Sequence, residues 1–102
     1  MEEMEQIFLD PGEKTPLVIF DRQRGKFELI GVSVPENGTE FYKPLLTWIG
    51  KYAEDPLETT EFIINLDYFN ISSSKMILFI FYKLMIFCKS SFVIHDPKAS
   101  LF

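Results

Sequence analysis

The chain has 102 residues, of which 47% are apolar and 16% aromatic, and it carries a formal charge of −5. That length gives one domain with a modest core, and so much apolar surface excludes a natively disordered chain. Residues 1–61 hold 13 acidic and 6 basic side chains and residues 62–102 hold 2 and 4, with no Lys/Arg cluster among the aromatics, so a nucleic-acid partner has no electrostatic footprint.

Residues 1–15 are acidic and close on Asp10-Pro11-Gly12, which predicts a flexible lead-in ahead of a single domain over residues 16–96, with a tail at 97–102. The start, MEEMEQ, has no basic region before an apolar stretch and so does not read as a secretory signal. Together with a single cysteine, this predicts a cytoplasmic protein. Residues 17–21 (LVIFD) and 26–31 (KFELIG) are two short apolar runs joined by Arg22-Gln23-Arg24-Gly25. They predict a β-hairpin with glycine at the turn position that needs a positive φ. Phe27 and Leu29 then share one face, with Glu28 on the other.

Residues 35–40 (PENGTE) predict a helix start, with Asn37 and Glu40 at capping-box spacing and Thr39 as a second possible cap. Phe41, Leu45, Trp48, Ile49 and Tyr52 recur at helical spacing and predict its core stripe. Pro44 lies inside that pattern and predicts a kink or a tight first turn. The helix should stop near Ala53, before Asp55-Pro56.

Residues 58–69 (ETTEFIINLDYF) predict a strand with Phe62, Ile64, Leu66 and Tyr68 on one face and Ile63 and Phe69 on the other. A strand apolar on both faces is expected to be central and covered on both sides. A serine turn (NISSSK) then opens a second helix over residues 73–88, and residues 91–95 (SFVIH) predict a last strand. The expected order is β-β-α-β-α-β, an α/β (α+β) domain with a mixed sheet and right-handed crossovers. In such a sheet, functional loops gather at the carboxyl ends of the strands, where the turn at 70–74 lies.

Little in the chain points to catalysis. Cys88 and His95 are single and have no third orienting group; no metal-ligand spacing, Walker glycine loop or dinucleotide fingerprint is present. The expectation is therefore no catalytic residue, no metal and no cofactor. The apolar run at 76–88 contains Lys83 and spans 13 residues, short of the roughly 20 needed to cross a bilayer, so no membrane partner is expected. Its helix is apolar nearly all round, which predicts either a partner on its outer side or an aggregation liability.

Pro35-Glu36-Asn37, Phe41-Tyr42-x-Pro44, Trp48, Leu66-Asp67-Tyr68-Phe69-Asn70 and Ser72-Ser73-Ser74-Lys75 together resemble the SiaC family of bacterial regulatory phosphoproteins, over roughly residues 15–86. The resemblance implies a fold similar to SpoIIAA-type anti-sigma-factor antagonists, the STAS fold. It also implies a non-enzymatic partner-switching adaptor, phosphorylated by a dedicated protein kinase and dephosphorylated by a PP2C-type phosphatase. Its unphosphorylated form would bind and activate a diguanylate cyclase, raising cyclic-di-GMP and promoting biofilm formation.

In the family the accepting hydroxyl is typically a threonine after the asparagine of this turn; here that position is Ile71, which cannot be phosphorylated. If Ser72 caps the helix, Ile71 and Met76 have the spacing of a hydrophobic staple. The serines are then cap and first turn, or Ser72 or Ser73 is a displaced phosphoacceptor, or phosphorylation has been lost. Tyr68, Asn70, Ser74 and Lys75 complete the implied partner surface, with Lys75 placed to pair with a phosphate. Family members also continue into an acidic strand and a closing helix and alternate charges on the outer face of the second helix, so a shortened C-terminus and that apolar face are departures. The alternative, from a different class, is a structural or self-associating protein. An adaptor of this kind is expected to be monomeric alone, with a dimer through the apolar second helix as the other possibility.

Overall fold

A computed structural model describes residues 6–87 and 91–95, with side chains over residues 6–86. Its elements are β1 (Ile7–Leu9), β2 (Leu17–Asp21), β3 (Lys26–Ser33), α1 (Gly38–Glu54), β4 (Thr59–Phe69), α2 (Ile71–Phe87) and β5 (Ser91–His95). The strands form one sheet in the order β1-β2-β3-β4-β5. The β1–β2 and β2–β3 pairs are antiparallel, while β3–β4 and β4–β5 are parallel. The expected hairpin and both strand–helix units are present. The addition is β1, within the stretch read as a lead-in, which pairs Ile7 with Phe20 and Leu9 with Val18. A three-residue edge strand with one half-buried side chain has too little alternation to stand out in a sequence. Cys88 and the tail at 97–102 lie outside the described residues.

Both helices lie on the same face of the sheet. The strand order runs β3, β4, β5 in one direction, and two crossovers of one hand moving the same way must pass over the same side. The expected double cover of β4 is therefore not found: β4 is an interior strand, next to the edge strand β5, but among the described residues no helix lies on the other face, where Ile19, Ile30 and Ile63 are half-buried. The core sits between the sheet and the two helices. Phe20, Phe27 and Phe62 present rings from three adjacent strands; Trp48 and Tyr52 of α1 pack on Phe27 at centroid distances of 5.3 and 4.8 Å, and Phe81 of α2 packs on Phe62 at 5.4 Å. Each such fully buried side chain contributes about 1.5–3 kcal/mol of transfer free energy.

Helix α1 starts as its sequence suggests. The Asn37 side chain accepts from the Glu40 N–H at 3.1 Å, and Asn37 Nδ2 donates to Glu40 Oε2 at 3.3 Å. The helix continues through exposed Pro44 to Glu54. Its most deeply buried residue in the first turns is Tyr42, whereas Phe41, predicted for the stripe, is only half-buried against the core. The hairpin turn uses Gly25 at φ 64°, and a Cβ there would meet the Thr59 carbonyl oxygen at 2.7 Å.

A bulge interrupts β4 near its end. Gly31 pairs with Leu66 but Val32 pairs with Tyr68, so Asp67 is an extra residue on β4. An added residue reverses the faces beyond it. Tyr68, predicted to share the buried face of Phe62, Ile64 and Leu66, is instead 67% exposed, and Phe69 turns inward to pack on the core.

Candidate functional site

The carboxyl ends of the parallel neighbours β3 and β4 carry the two helix starts side by side. Ser33 ends β3 and Phe69 ends β4, in register with one another. The Asn70 N–H donates to the Ser33 carbonyl at 3.1 Å, and Asn70 Nδ2 reaches the Pro35 carbonyl at 3.4 Å. These bonds tie the turn before α2 to the loop before α1. The contact is closest between Gly38 and Ser72: a Cβ on Gly38 would lie 2.5 Å from Ser72 Oγ and 3.1 Å from Ser72 Cβ.

The cap of α2 is Asn70, so the helix begins at Ile71, two residues earlier than the predicted start at 73. Asn70 Oδ1 accepts from the Ser73 N–H at 2.9 Å, and the Asn70 carbonyl accepts the first helical bond from the Ser74 N–H at 3.1 Å. Asparagine is among the strongest caps, and its side chain bonds the third helical N–H. The predicted cap at Ser72 and the staple between Ile71 and Met76 are therefore absent. Ile71 is the first helical residue and is 77% exposed, while Met76 is buried.

The three serines fall into three environments because a helix turns by 100° per residue. Ser72 is exposed, and its hydroxyl donates to Asn70 Oδ1 at 3.2 Å. Ser74 is half-buried and donates to the Ile71 carbonyl at 2.8 Å. Ser73 is wholly buried. Its hydroxyl donates to the Ser33 carbonyl at 2.8 Å and accepts from Ser33 Oγ at 2.8 Å, and Ser33 Oγ lies 2.6 Å from the Tyr42 hydroxyl. Each hydroxyl has a single proton. The Ser33 proton goes to Ser73, so Tyr42 must donate to Ser33, and a directional chain runs Tyr42 to Ser33 to Ser73 to the Ser33 carbonyl. Burial pushes the Tyr42 phenol above its usual range, and the Ser33 and Ser73 side chains close to it offset part of that.

Among the other predicted surface residues, Tyr68 is 67% exposed on the sheet face away from the helices, and Lys75 is exposed on α2. Asn70 is half-buried and serves as the cap. The turn thus brings together Asn70, Ser72 and Ser74, and it adds Ser33, Tyr42 and Gly38, which no motif singled out. Lys83, the one charge within the apolar run, is half-buried with Nζ 3.4 Å from the Leu46 carbonyl of α1. Among the described residues, no group of three or more His, Cys, Asp or Glu is placed to hold a metal ion, and no helix is long and apolar enough to cross a membrane.

The chain and its fold resemble known proteins. The profile of the SiaC family regulatory phosphoproteins matches residues 9–93. An uncharacterised protein of Pseudomonas aeruginosa is 29% identical over 75 residues, which is 74% of this chain and 60% of that protein. SiaC of Pseudomonas aeruginosa superposes with a TM-score of 0.87 at 24% identity, covering 96% of this chain and 86% of that one. The SiaC structure from Pseudomonas aeruginosa described as diguanylate cyclase SiaD in complex with its activator SiaC gives a TM-score of 0.73 at 22% identity, covering 88% and 98%.

Proposed function

Because the chain belongs to the SiaC family of regulatory phosphoproteins, we propose that it is a non-catalytic adaptor switched by phosphorylation of Ser72. The observation that carries this reading is the division of labour in the turn. Ser72 is exposed and its hydroxyl is held by a single side-chain bond, whereas Ser73 is buried and its hydroxyl both gives and receives a hydrogen bond. A kinase must bring its base and phosphoryl group to the accepting oxygen, which Ser72 permits without unfolding the helix start. A phosphate there adds about −1.5 to −2 charges beside free backbone N–H groups at the positive end of α2. Lys75 lies one turn further on the same helix.

The fold would accept that charge, so its effect falls on whatever docks against the turn. A dianion next to exposed Ile71 imposes a desolvation cost on an apolar or acidic partner, and a few kcal/mol shift binding by orders of magnitude. The partner in this reading is a diguanylate cyclase, bound by the unphosphorylated form, with a protein kinase and a PP2C-type phosphatase setting the state. The complex of a structurally similar SiaC with the cyclase SiaD supports that choice.

The test is intact-mass and fragment mass spectrometry after incubation with the kinase, alongside a cyclase assay with and without the chain. One phosphate on Ser72, lost in Ser72→Ala and retained in Ser73→Ala, is expected, as is cyclase activation by the unmodified chain only. A phosphate mapping elsewhere, or none, overturns Ser72 as the acceptor. An inert cyclase overturns the partner.

A further inference from the structure

The side chain of Asn70 does more than cap α2. Its Oδ1 accepts from the Ser73 N–H at 2.9 Å and from the Ser72 hydroxyl at 3.2 Å, while Nδ2 donates to the Pro35 carbonyl at 3.4 Å. Among the described residues, that bond to Pro35 is the only hydrogen bond between residues 34–38 and residues 70–74. One planar amide therefore touches the accepting hydroxyl, the start of α2 and the loop before α1.

We infer, on the reading of Ser72 as the acceptor, that phosphorylation turns the Asn70 amide over and so unfastens the loop before α1 from the start of α2. Phosphoryl transfer from a nucleoside triphosphate breaks the Ser72 O–H bond and forms an O–P bond, releasing nucleoside diphosphate and the hydroxyl proton. The proton lost is the one that Asn70 Oδ1 accepts. A carbonyl oxygen is then left facing about −1.5 to −2 charges with no hydrogen between. Asparagine carries a donor and an acceptor on the same planar group, and a half-turn of the amide brings Nδ2 to the phosphate. A hydrogen bond to a charged acceptor is about twice as strong as one between neutral groups, which sets the direction of the exchange.

The half-turn has two consequences. It withdraws Oδ1 from the Ser73 N–H, which is left to a phosphate oxygen, so the helix start stays satisfied. It also points Oδ1 at the Pro35 carbonyl, setting two acceptors where a donor and an acceptor stood, and the loop has to move away. The Asn70 N–H on the Ser33 carbonyl and the Ser74 N–H on the Asn70 carbonyl do not involve the amide, so the sheet and α2 keep their places. A partner that contacts both helix starts meets them fastened together in the unmodified chain and separate in the phosphorylated one. A local change of charge is thus read out through a single group with two positions.

The test is ¹⁵N–¹H NMR of the full chain carrying phosphoserine, introduced during translation at position 72, over about pH 5 to 8. The reporters are the Asn70 side-chain amide and the Glu36 N–H, which shares a peptide unit with the Pro35 carbonyl. Both signals are expected to shift with the second ionisation of the phosphate, at about pH 6, and to stay constant in the unmodified chain. Asn70→Asp is the second variant. Aspartate caps a helix as well as asparagine does, but it has no Nδ2 to hold Pro35. Its Glu36 signal, without any phosphate, should be displaced from the wild-type position in the same direction as in the phosphorylated chain. Reporters that ignore the ionisation of the phosphate overturn the inference, as does an Asn70→Asp chain with the wild-type Glu36 signal. Because no kinase is used, failure here is distinct from failure of the Ser72 assignment, which mass mapping of the kinase product decides.

Discussion

Gly38 and Ser72 are 34 positions apart in the chain, yet the α-carbon of one leaves no room for a side chain beside the hydroxyl of the other. The first turns of the two helices come together at this point, and the hydroxyl proposed above as the acceptor lies at the border with the start of α1.

Gly38→Ala should therefore destabilise the protein, although alanine ordinarily favours a helix over glycine by about 1 kcal/mol. The added methyl would stand 2.5 Å from Ser72 Oγ, and relief requires the helix starts to separate. A net loss of about 1–3 kcal/mol is expected in chemical denaturation. Combining it with Ser72→Gly should recover most of the loss, and additive effects would show that the two positions do not meet.

Asn70→Ala removes the side chain that satisfies the Ser73 N–H and holds the Ser72 hydroxyl. A loss of about 0.5–2 kcal/mol is expected from the missing cap. Fraying confined to the first turn of α2 should appear as faster amide exchange at residues 72–74, with the strands unaffected.

Aspartate distinguishes the two neighbouring serines. Ser72→Asp places a carboxylate at an exposed helix start and should be neutral or stabilising by about 0.3–1 kcal/mol. Ser73→Asp forces a charge into a buried site whose partners, Ser33 and its carbonyl, already form a complete set. It should cost several kcal/mol or prevent folding. Thermal denaturation compares the pair directly, and equal tolerance would refute the placement of Ser73.

Tyr42 makes stability fall at alkaline pH. Its phenol is raised above the ordinary value of 10.0 by burial, so the folded state holds the proton after the unfolded chain has released it. The contribution is fully present below pH 10 and is lost as pH rises through the folded value, because the unfolded state then binds fewer protons. Tyr42→Phe should cost about 1–2 kcal/mol near neutral pH, by leaving Ser33 Oγ without its donor. It should also flatten this part of the alkaline decline, as read from urea midpoints at several pH values.

Local patterns in the chain foretold the local features. The hairpin with its glycine, the Asn37 cap and both helices follow from periodicity and turn chemistry within a few residues. What escaped depends on contacts across the chain. Ser33 and Ser73 are 40 residues apart, and nothing near Ser33 marks it as the partner of a serine in the second helix start. The alternation in β4 is unbroken in the sequence; only its pairing with β3 shows that Asp67 is extra and that Tyr68 and Phe69 exchange sides. The missed cap has a similar cause. Asn70 and Ser72 are both good capping types, and the bond from the Asn70 N–H to the end of β3 decides which one enters the turn first.

That extra residue in β4 acts as a phase setter for the helix that follows. One residue fewer before Asn70 would carry Tyr68 inward and Phe69 outward, and the side of α2 that faces the core would rotate with them. The buried hydroxyl and the accessible one would no longer be Ser73 and Ser72. A bulge in the strand that leads into α2 thus selects which serine the outside world can reach.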